Sequence, residues 1–196
     1  MNTATILRLL CLLCILAQTT SAQPSGHETV SLFNGKALSG WGPMNNAVFT
    51  VTNGCIHISK TSGWLRSERP YTNFVFEAEW RALETNYNSG FFLRARLEGK
   101  PFPTDVWQVN LKESALGSLM KGSKTVVAFP TTPGPRTPPM EWVTFRMEAR
   151  GTTLTLEING KQAWQFEQFD AVSGYIGLQA EGRPFEFRNL RIQELP

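Results

Sequence analysis

Cysteine and histidine are scarce in this chain, and what it lacks narrows its chemistry early. Of its three cysteines, Cys11 and Cys14 fall in an N-terminal apolar run, which leaves Cys55 alone in the remainder. No disulfide can form within that remainder, so its stability has to come from a packed core. His27 lies in an N-terminal lead and His57 is the one histidine further on, with no cysteine pair at ligand spacing, so a zinc site has no ligand set. No loop carries the Asp-rich spacing of a calcium site; no cofactor is identified, and a divalent metal held by carboxylate and carbonyl oxygens stays open. Runs of five or six like charges are absent, and with a formal net charge of +3 spread among acidic residues the chain has no footprint for nucleic acid. Neither a Gly-rich phosphate loop nor a Gly-x-Ser-x-Gly nucleophile turn occurs.

The N-terminus has a different character. Arg8 precedes the apolar run Leu9 to Ala17, and the small residues Thr20, Ser21 and Ala22 follow before Gln23. Charge, apolar run and small residues in that order are the parts of a secretory signal peptide, and the run is roughly half of the ~20 apolar residues that a membrane-spanning helix needs. The expectation is a signal peptide over 1–22, cleaved after Ala22, a lead over 23–30 and one domain over 31–196. The protein is then exported, periplasmic or extracellular, with no membrane span in the mature chain. Leu12 and Leu13 ahead of Cys14 are too bulky for a lipid-attachment site.

Beyond the lead, helical periodicity is hard to find, while short alternating runs rich in Phe, Val, Trp and Ile recur between Gly, Asn and Pro. Phe49-Thr50-Val51-Thr52 and Cys55-Ile56-His57-Ile58 flank Asn53-Gly54, the dipeptide that best tolerates positive φ, and so predict a hairpin. Asn159-Gly160 predicts another, between Leu154–Ile158 and Gln162–Phe166. Phe74, Phe76, Ala78 and Trp80 alternate with Val75, Glu77, Glu79 and Arg81. Phe91, Leu93, Ala95 and Leu97 alternate with Phe92, Arg94 and Arg96, and Trp107, Val109 and Leu111 with Gln108 and Asn110. Val143, Phe145 and Met147, and then Ile176, Leu178 and Ala180, repeat the pattern. About a dozen strands without intervening helices cannot make a parallel crossover fold. The expected fold is all-β, an antiparallel two-sheet jelly-roll sandwich with Phe76, Trp80, Leu93, Val109, Phe145, Leu156, Ile176 and Phe187 in its core. Five prolines between Ala128 and Met140 predict a surface loop.

Several segments, in order, resemble the 3-keto-disaccharide hydrolase family, whose domains are similar in fold to the concanavalin-like lectin/glucanase sandwich. The opening Ser31-Leu32-Phe33-Asn34-Gly35-Lys36-Ala37-Leu38-Ser39-Gly40-Trp41 is the most specific. Asn53-Gly54, Asn88-Ser89-Gly90-Phe91-Phe92-Leu93-Arg94, Glu141-Trp142, Ile158-Asn159-Gly160, Gly174–Gln179 and Phe187–Ile192 follow. Two departures stand out. Where the family has an aromatic-Glu-x-Gln strand, Val106-Trp107-Gln108-Val109-Asn110 keeps Gln108 but not the acid, and Glu181 stands near where relatives carry a histidine after Gln179.

The resemblance implies cleavage of a glycosidic bond in a sugar oxidised to a ketone at C3, with a carbohydrate as the partner. The ketone acidifies the neighbouring carbon-bound proton, so elimination needs a base, a positive group for the enolate oxygen and an acid for the departing oxygen. Arg94 is the candidate enolate clamp, with a cross-strand pair to Glu77 or Glu79 as the alternative. Glu68, Glu79 and Glu181 are the candidate acids and bases, and Gln108, Asn110 and Gln179 the candidate sugar-binding amides. Trp64 is a candidate aromatic platform, whereas Trp107 shares the core phase of Val109. His57 is out of phase with Ile56 and Ile58 and reads as an exposed strand residue. Shared phase predicts that Arg94, Gln108 and Gln179 line one groove on a single sheet, with Glu79 or Glu181 in reach. Two functions remain open: a glycoside-cleaving enzyme and a non-catalytic carbohydrate-binding module on the same sandwich.

Overall fold

The computed structural model of the protein describes residues 28–128 and 137–196. The expected signal peptide, most of the lead and most of the proline-rich loop lie outside those residues. Fifteen strands and no helix occupy the described part: β1 (Thr29–Ser31), β2 (Trp41–Met44), β3 (Phe49–Thr52), β4 (Cys55–Ile58), β5 (Ser62–Ser67), β6 (Phe74–Ala82), β7 (Gly90–Ala95), β8 (Trp107–Asn110), β9 (Leu119–Lys121), β10 (Lys124–Val127), β11 (Val143–Arg150), β12 (Thr153–Ile158), β13 (Lys161–Phe166), β14 (Tyr175–Glu181) and β15 (Phe185–Glu194). β1 falls at the end of the expected lead, where Thr29–Ser31 pairs with Arg191–Gln193 of β15.

The strands form two antiparallel sheets. One has eight strands, in the order β13-β12-β11-β6-β15-β4-β3 with β1 added against β15; the other has seven, in the order β10-β9-β8-β7-β14-β5-β2. Their facing sides close on one apolar core, in which all eight expected core residues are fully buried. Aromatic rings hold the middle: Phe76 and Phe91 meet edge to face at 5.6 Å across the two sheets, and Trp80 meets Phe145 at 5.7 Å. Rings in this arrangement set the electropositive edge of one against the face of the next, which adds specificity to the area they bury. Both Asn-Gly turns are present, with φ of 51° and 75° at Asn53-Gly54 and 49° and 75° at Asn159-Gly160. Two consecutive positive φ values match the right-handed twist of the flanking strands, which is why this dipeptide closes both hairpins.

The alternation expected over Phe91–Leu97 breaks within β7. Phe92 pairs with Gly177 and Ala95 with Tyr175, so β7 spends three steps where β14 spends two. Arg94, at φ 47°, is the extra residue of this β-bulge. A bulge re-aims the side chains beyond it. Phe91 and Leu93 face the main core as expected, but Ala95 joins Phe92 on the other side of the sheet and Leu97 is exposed.

Candidate functional site

Gln108, Asn110, Gln179 and Glu181 line one groove of about 590 Å³ on the face of the seven-stranded sheet that points away from the core. Alternation puts them there: Val109 and Leu178 of the same strands are in the main core, so their neighbours project outward. The segment Asn88-Ser89-Gly90 shapes the floor. A Cβ at Gly90 would collide with the Gln108 side-chain amide, so glycine leaves the space across which Gln108 lies. Ser89 Oγ donates to the Gln179 carbonyl at 2.7 Å and fixes β14 against β7.

Gln108 Nε2 donates to Gln179 Oε1 at 2.7 Å and to the Ser89 carbonyl at 3.4 Å. With both amide hydrogens engaged, Gln108 has its oxygen left as an acceptor, and the Gln179 NH2, which donates one hydrogen to Glu181, has the other left as a donor. A paired acceptor and donor suit a sugar hydroxyl, which gives one hydrogen bond and takes others. Asn110 is more committed: its Oδ1 accepts the Lys112 N–H at 3.1 Å and its Nδ2 lies 3.2 Å from Met120 Sδ.

Glu181 stands at the rim beside Lys112. The residue reaches solvent, yet protein surrounds its carboxyl closely enough that burial raises its pKa, against the opposing pull of Lys112 and of a hydrogen bond with Gln179. Among the described residues it is the one carboxylate that lines the groove.

The other expected site residues lie elsewhere. Arg94 is not on the groove face. The bulge sends its buried side chain the other way, where Nε donates to the Thr72 carbonyl at 2.6 Å and Nη1 to the Gly151 carbonyl at 2.7 Å and to the Ala171 carbonyl. Its guanidinium also lies over Phe169, 4.7 Å from the ring centre, and burial lowers its pKa to about 10. Arg94 therefore ties three loops together and pairs with neither Glu77 nor Glu79. Glu79 is on the outer face of the opposite sheet, bound at 2.7 Å by both Arg188 Nε and Asn189 Nδ2. Burial pushes its carboxyl up, but those hydrogen bonds and the charges of Arg188 and Arg191 outweigh it and leave the pKa lowered. Glu68 is exposed just beyond β5, its N–H donating to the Gly40 carbonyl, and it does not line the groove.

Trp64, the candidate platform, lies on β5 of the seven-stranded sheet but is completely buried, edge to face with Phe92, and offers no open surface. Trp107 is in the core, with its Nε1 donating to Asp170 at 2.8 Å. His57 is half-buried on the eight-stranded sheet, 3.9 Å from Glu186. Among the described residues no three of His, Cys, Asp and Glu come together as a metal site.

Sequence reasoning does not find three contributors to the groove. Asn88 enters it only as part of the Asn-Ser-Gly segment. The segment 97–106 folds over the face and lines the groove with Lys100, Phe102 and Thr104; its signal is Lys100-Pro101-Phe102-Pro103, an aromatic held between prolines. Lys112, directly after the core residue Leu111, gives no signal at all.

The architecture recurs in solved structures. A candidate glycosyl hydrolase from Parabacteroides distasonis ATCC 8503 superposes with a TM-score of 0.71 at 20% identity, over 86% of this chain and 94% of its own. A carbohydrate-binding module, CBM66 from Bacillus subtilis, does so with a TM-score of 0.65 at 14% identity, over 79% of this chain and 96% of its own. A Bacillus subtilis protein with a galectin-like fold gives 0.63 at 11% identity, over 85% of this chain and 94% of its own. At these identities the likeness establishes the sandwich fold alone. Among curated proteins no sequence matches the chain. The 3-keto-alpha-glucoside-1,2-lyase-like domain matches residues 28–193, nearly the whole of the chain, and the protein belongs to that family.

Proposed function

We propose that the protein is an exported enzyme that cleaves 3-keto-glucosides by elimination, with Glu181 as its acid and base. The observation that carries this reading is the placement of Glu181, the lone carboxylate of an amide-lined groove, with its pKa raised by burial. A carboxylate with a raised pKa is a stronger base than an ordinary one and, once protonated, is still able to give the proton back.

The steps balance with this chain's residues. The glycone's hydroxyls bind the Gln108–Gln179 amide pair, which directs C2 of the ring toward Glu181. The Glu181 carboxylate takes the C2 proton, and the C–H electron pair moves into an enolate whose C3 oxygen is stabilised by the Lys112 ammonium. The enolate re-forms the C3 carbonyl while a C1–C2 double bond forms and the C1–O bond breaks. The departing oxygen takes the proton from Glu181 and leaves as an alcohol. The products are the free aglycone and an unsaturated 3-keto sugar; addition of water across the double bond would complete a net hydrolysis.

A binding-only role is the second reading, and Arg94 favours it: the guanidinium expected to clamp the enolate is committed to three backbone carbonyls away from the groove. Incubation of purified protein lacking residues 1–22 with a 3-keto-glucoside separates the two. The enzyme reading expects free aglycone together with an ultraviolet-absorbing enone. Binding without release of aglycone, with and without added divalent metal, would leave the module reading standing. Export is tested separately, by the N-terminus of protein recovered from expressing cells, expected at Gln23.

A further inference from the structure

The 97–106 segment does more than line the groove. It leaves β7 after Ala95, crosses the sheet face and returns to β8 at Trp107. Its tip is pinned by Asn45, just beyond β2 at the far edge of the sheet, whose Nδ2 donates to the Gly99 carbonyl at 3.3 Å and the Pro101 carbonyl at 3.0 Å. Gly99 has φ 117°, and a Cβ there would collide with the Phe102 carbonyl, so the strap can fold back on itself only with glycine at that point. Phe102 packs against Phe92 at 6.0 Å, and Val106 joins the apolar cluster of Trp64, Phe92 and Ala95 beneath.

The strap walls one end of the groove. The flank beyond β14 is closed as well, because Trp64, the register partner of Gln179, has no exposed surface. In the other direction the space continues. Asn88, Lys112 and Glu181 line both the groove and a neighbouring depression of about 680 Å³ that also takes in Asn86 and Arg183.

We infer that the groove receives the end of a glycan and not a stretch within a longer chain, and that the strap, through Asn45 and Phe102, sets this selection. The inference rests on the carbohydrate reading above. A strand of sugars passing through needs two exits in line, whereas a terminal residue needs one. Here the terminal sugar meets the strap and the amide pair, and the rest of the chain leaves past Glu181 and Lys112. Neither Asn45 nor Phe102 takes part in the chemistry; they are positioning and specificity residues.

The test begins with an array of linear oligosaccharides, each present both unmodified and with its terminal sugar oxidised to the 3-ketone, from which one that binds is taken in a short and a long form for titration calorimetry. End recognition expects a fixed number of protein molecules per chain regardless of length. It also expects a loss of at least about 10-fold in affinity when a bulky cap is placed on one particular end of the sugar. Asn45→Ala, with Phe102→Ala as a second variant should the first not fold, should narrow the penalty for the capped end and raise amide exchange across 97–106. Stoichiometry that grows with chain length, or equal affinity for both capped forms, would overturn end recognition while leaving carbohydrate binding intact. Failure to bind any sugar on the array would overturn the carbohydrate reading, and this inference with it.

Discussion

The two sheets turn different faces to solvent. On the eight-stranded sheet the outward side chains are charged and already matched: Arg146 lies between Glu77, Glu148 and Glu157 at 3.0–3.6 Å, Arg188 holds Glu79, and Arg81 holds Glu186 at 2.6 Å. Trp142 is stacked between Arg81 and Arg188, at 4.6 and 3.9 Å from its ring centre. On the seven-stranded sheet the outward groove is lined by amides and rings, with two lysines and, among the described residues, one carboxylate, and the strap forms one of its walls. Charges that satisfy one another leave little for a ligand to satisfy. Amides whose bonds to the protein use only part of their capacity keep a donor and an acceptor in hand, and that contrast locates the site.

The largest effect expected from breaking this contrast comes from Arg94, which belongs to neither face. Arg94→Ala removes a buried guanidinium and the donor to three backbone carbonyls, and should destabilise the protein by about 3 to 5 kcal/mol in urea unfolding. Turnover per folded molecule should change little. A large loss of turnover at unchanged stability would return Arg94 to the chemistry.

Gln108→Leu acts within the amide pair. It leaves Gln179 Oε1 without its donor and should weaken sugar binding about 10-fold, with a stability loss of about 1 kcal/mol. Unchanged affinity would mean that the ligand passes elsewhere.

The faces should also differ in their response to pH. The folded state holds the proton on Glu181 above the ordinary carboxylate value of 4.5, so cleavage that uses its carboxylate should rise with pH through a point above 4.5. Glu79 is shifted the other way; whatever stability its pairing contributes is present above 4.5 and is lost only as pH falls through its lowered folded value. A rate profile that rises below 4.5 would point to a carboxylate other than Glu181.

The smallest effect is expected from the matched face itself. Arg188→Ala breaks a partly exposed pair and should cost less than about 1 kcal/mol, with no change in turnover.

The sandwich is legible in the sequence because its cause is local and periodic. One residue in two of β6, β11 and β14 is apolar, both Asn-Gly turns fix register, and nothing in those strands interrupts the alternation. The same logic places Gln108, Asn110, Gln179 and Glu181 together. It fails at Arg94 because one extra residue in β7 turns the side chains beyond it to the opposite face, and a bulge of that kind depends on the partner strand, which alternation within β7 does not reveal. Alternation also cannot say which of two sheets a strand joins, and so Glu79, correctly outward, belongs to the face away from the groove. The strap is beyond reach for a different reason: its position rests on Asn45, more than fifty residues away in sequence.

The account comes down to which carboxylate acts. The direct measurement is the rate of aglycone release from a 3-keto-glucoside by the wild-type protein, Glu181→Gln and Glu79→Gln, each with its fold checked by circular dichroism. Loss of the acid and base should lower the Glu181→Gln rate by about 100-fold or more and leave Glu79→Gln near wild type. Full activity in Glu181→Gln, or its loss in Glu79→Gln, would contradict the assignment of the site to the seven-stranded sheet.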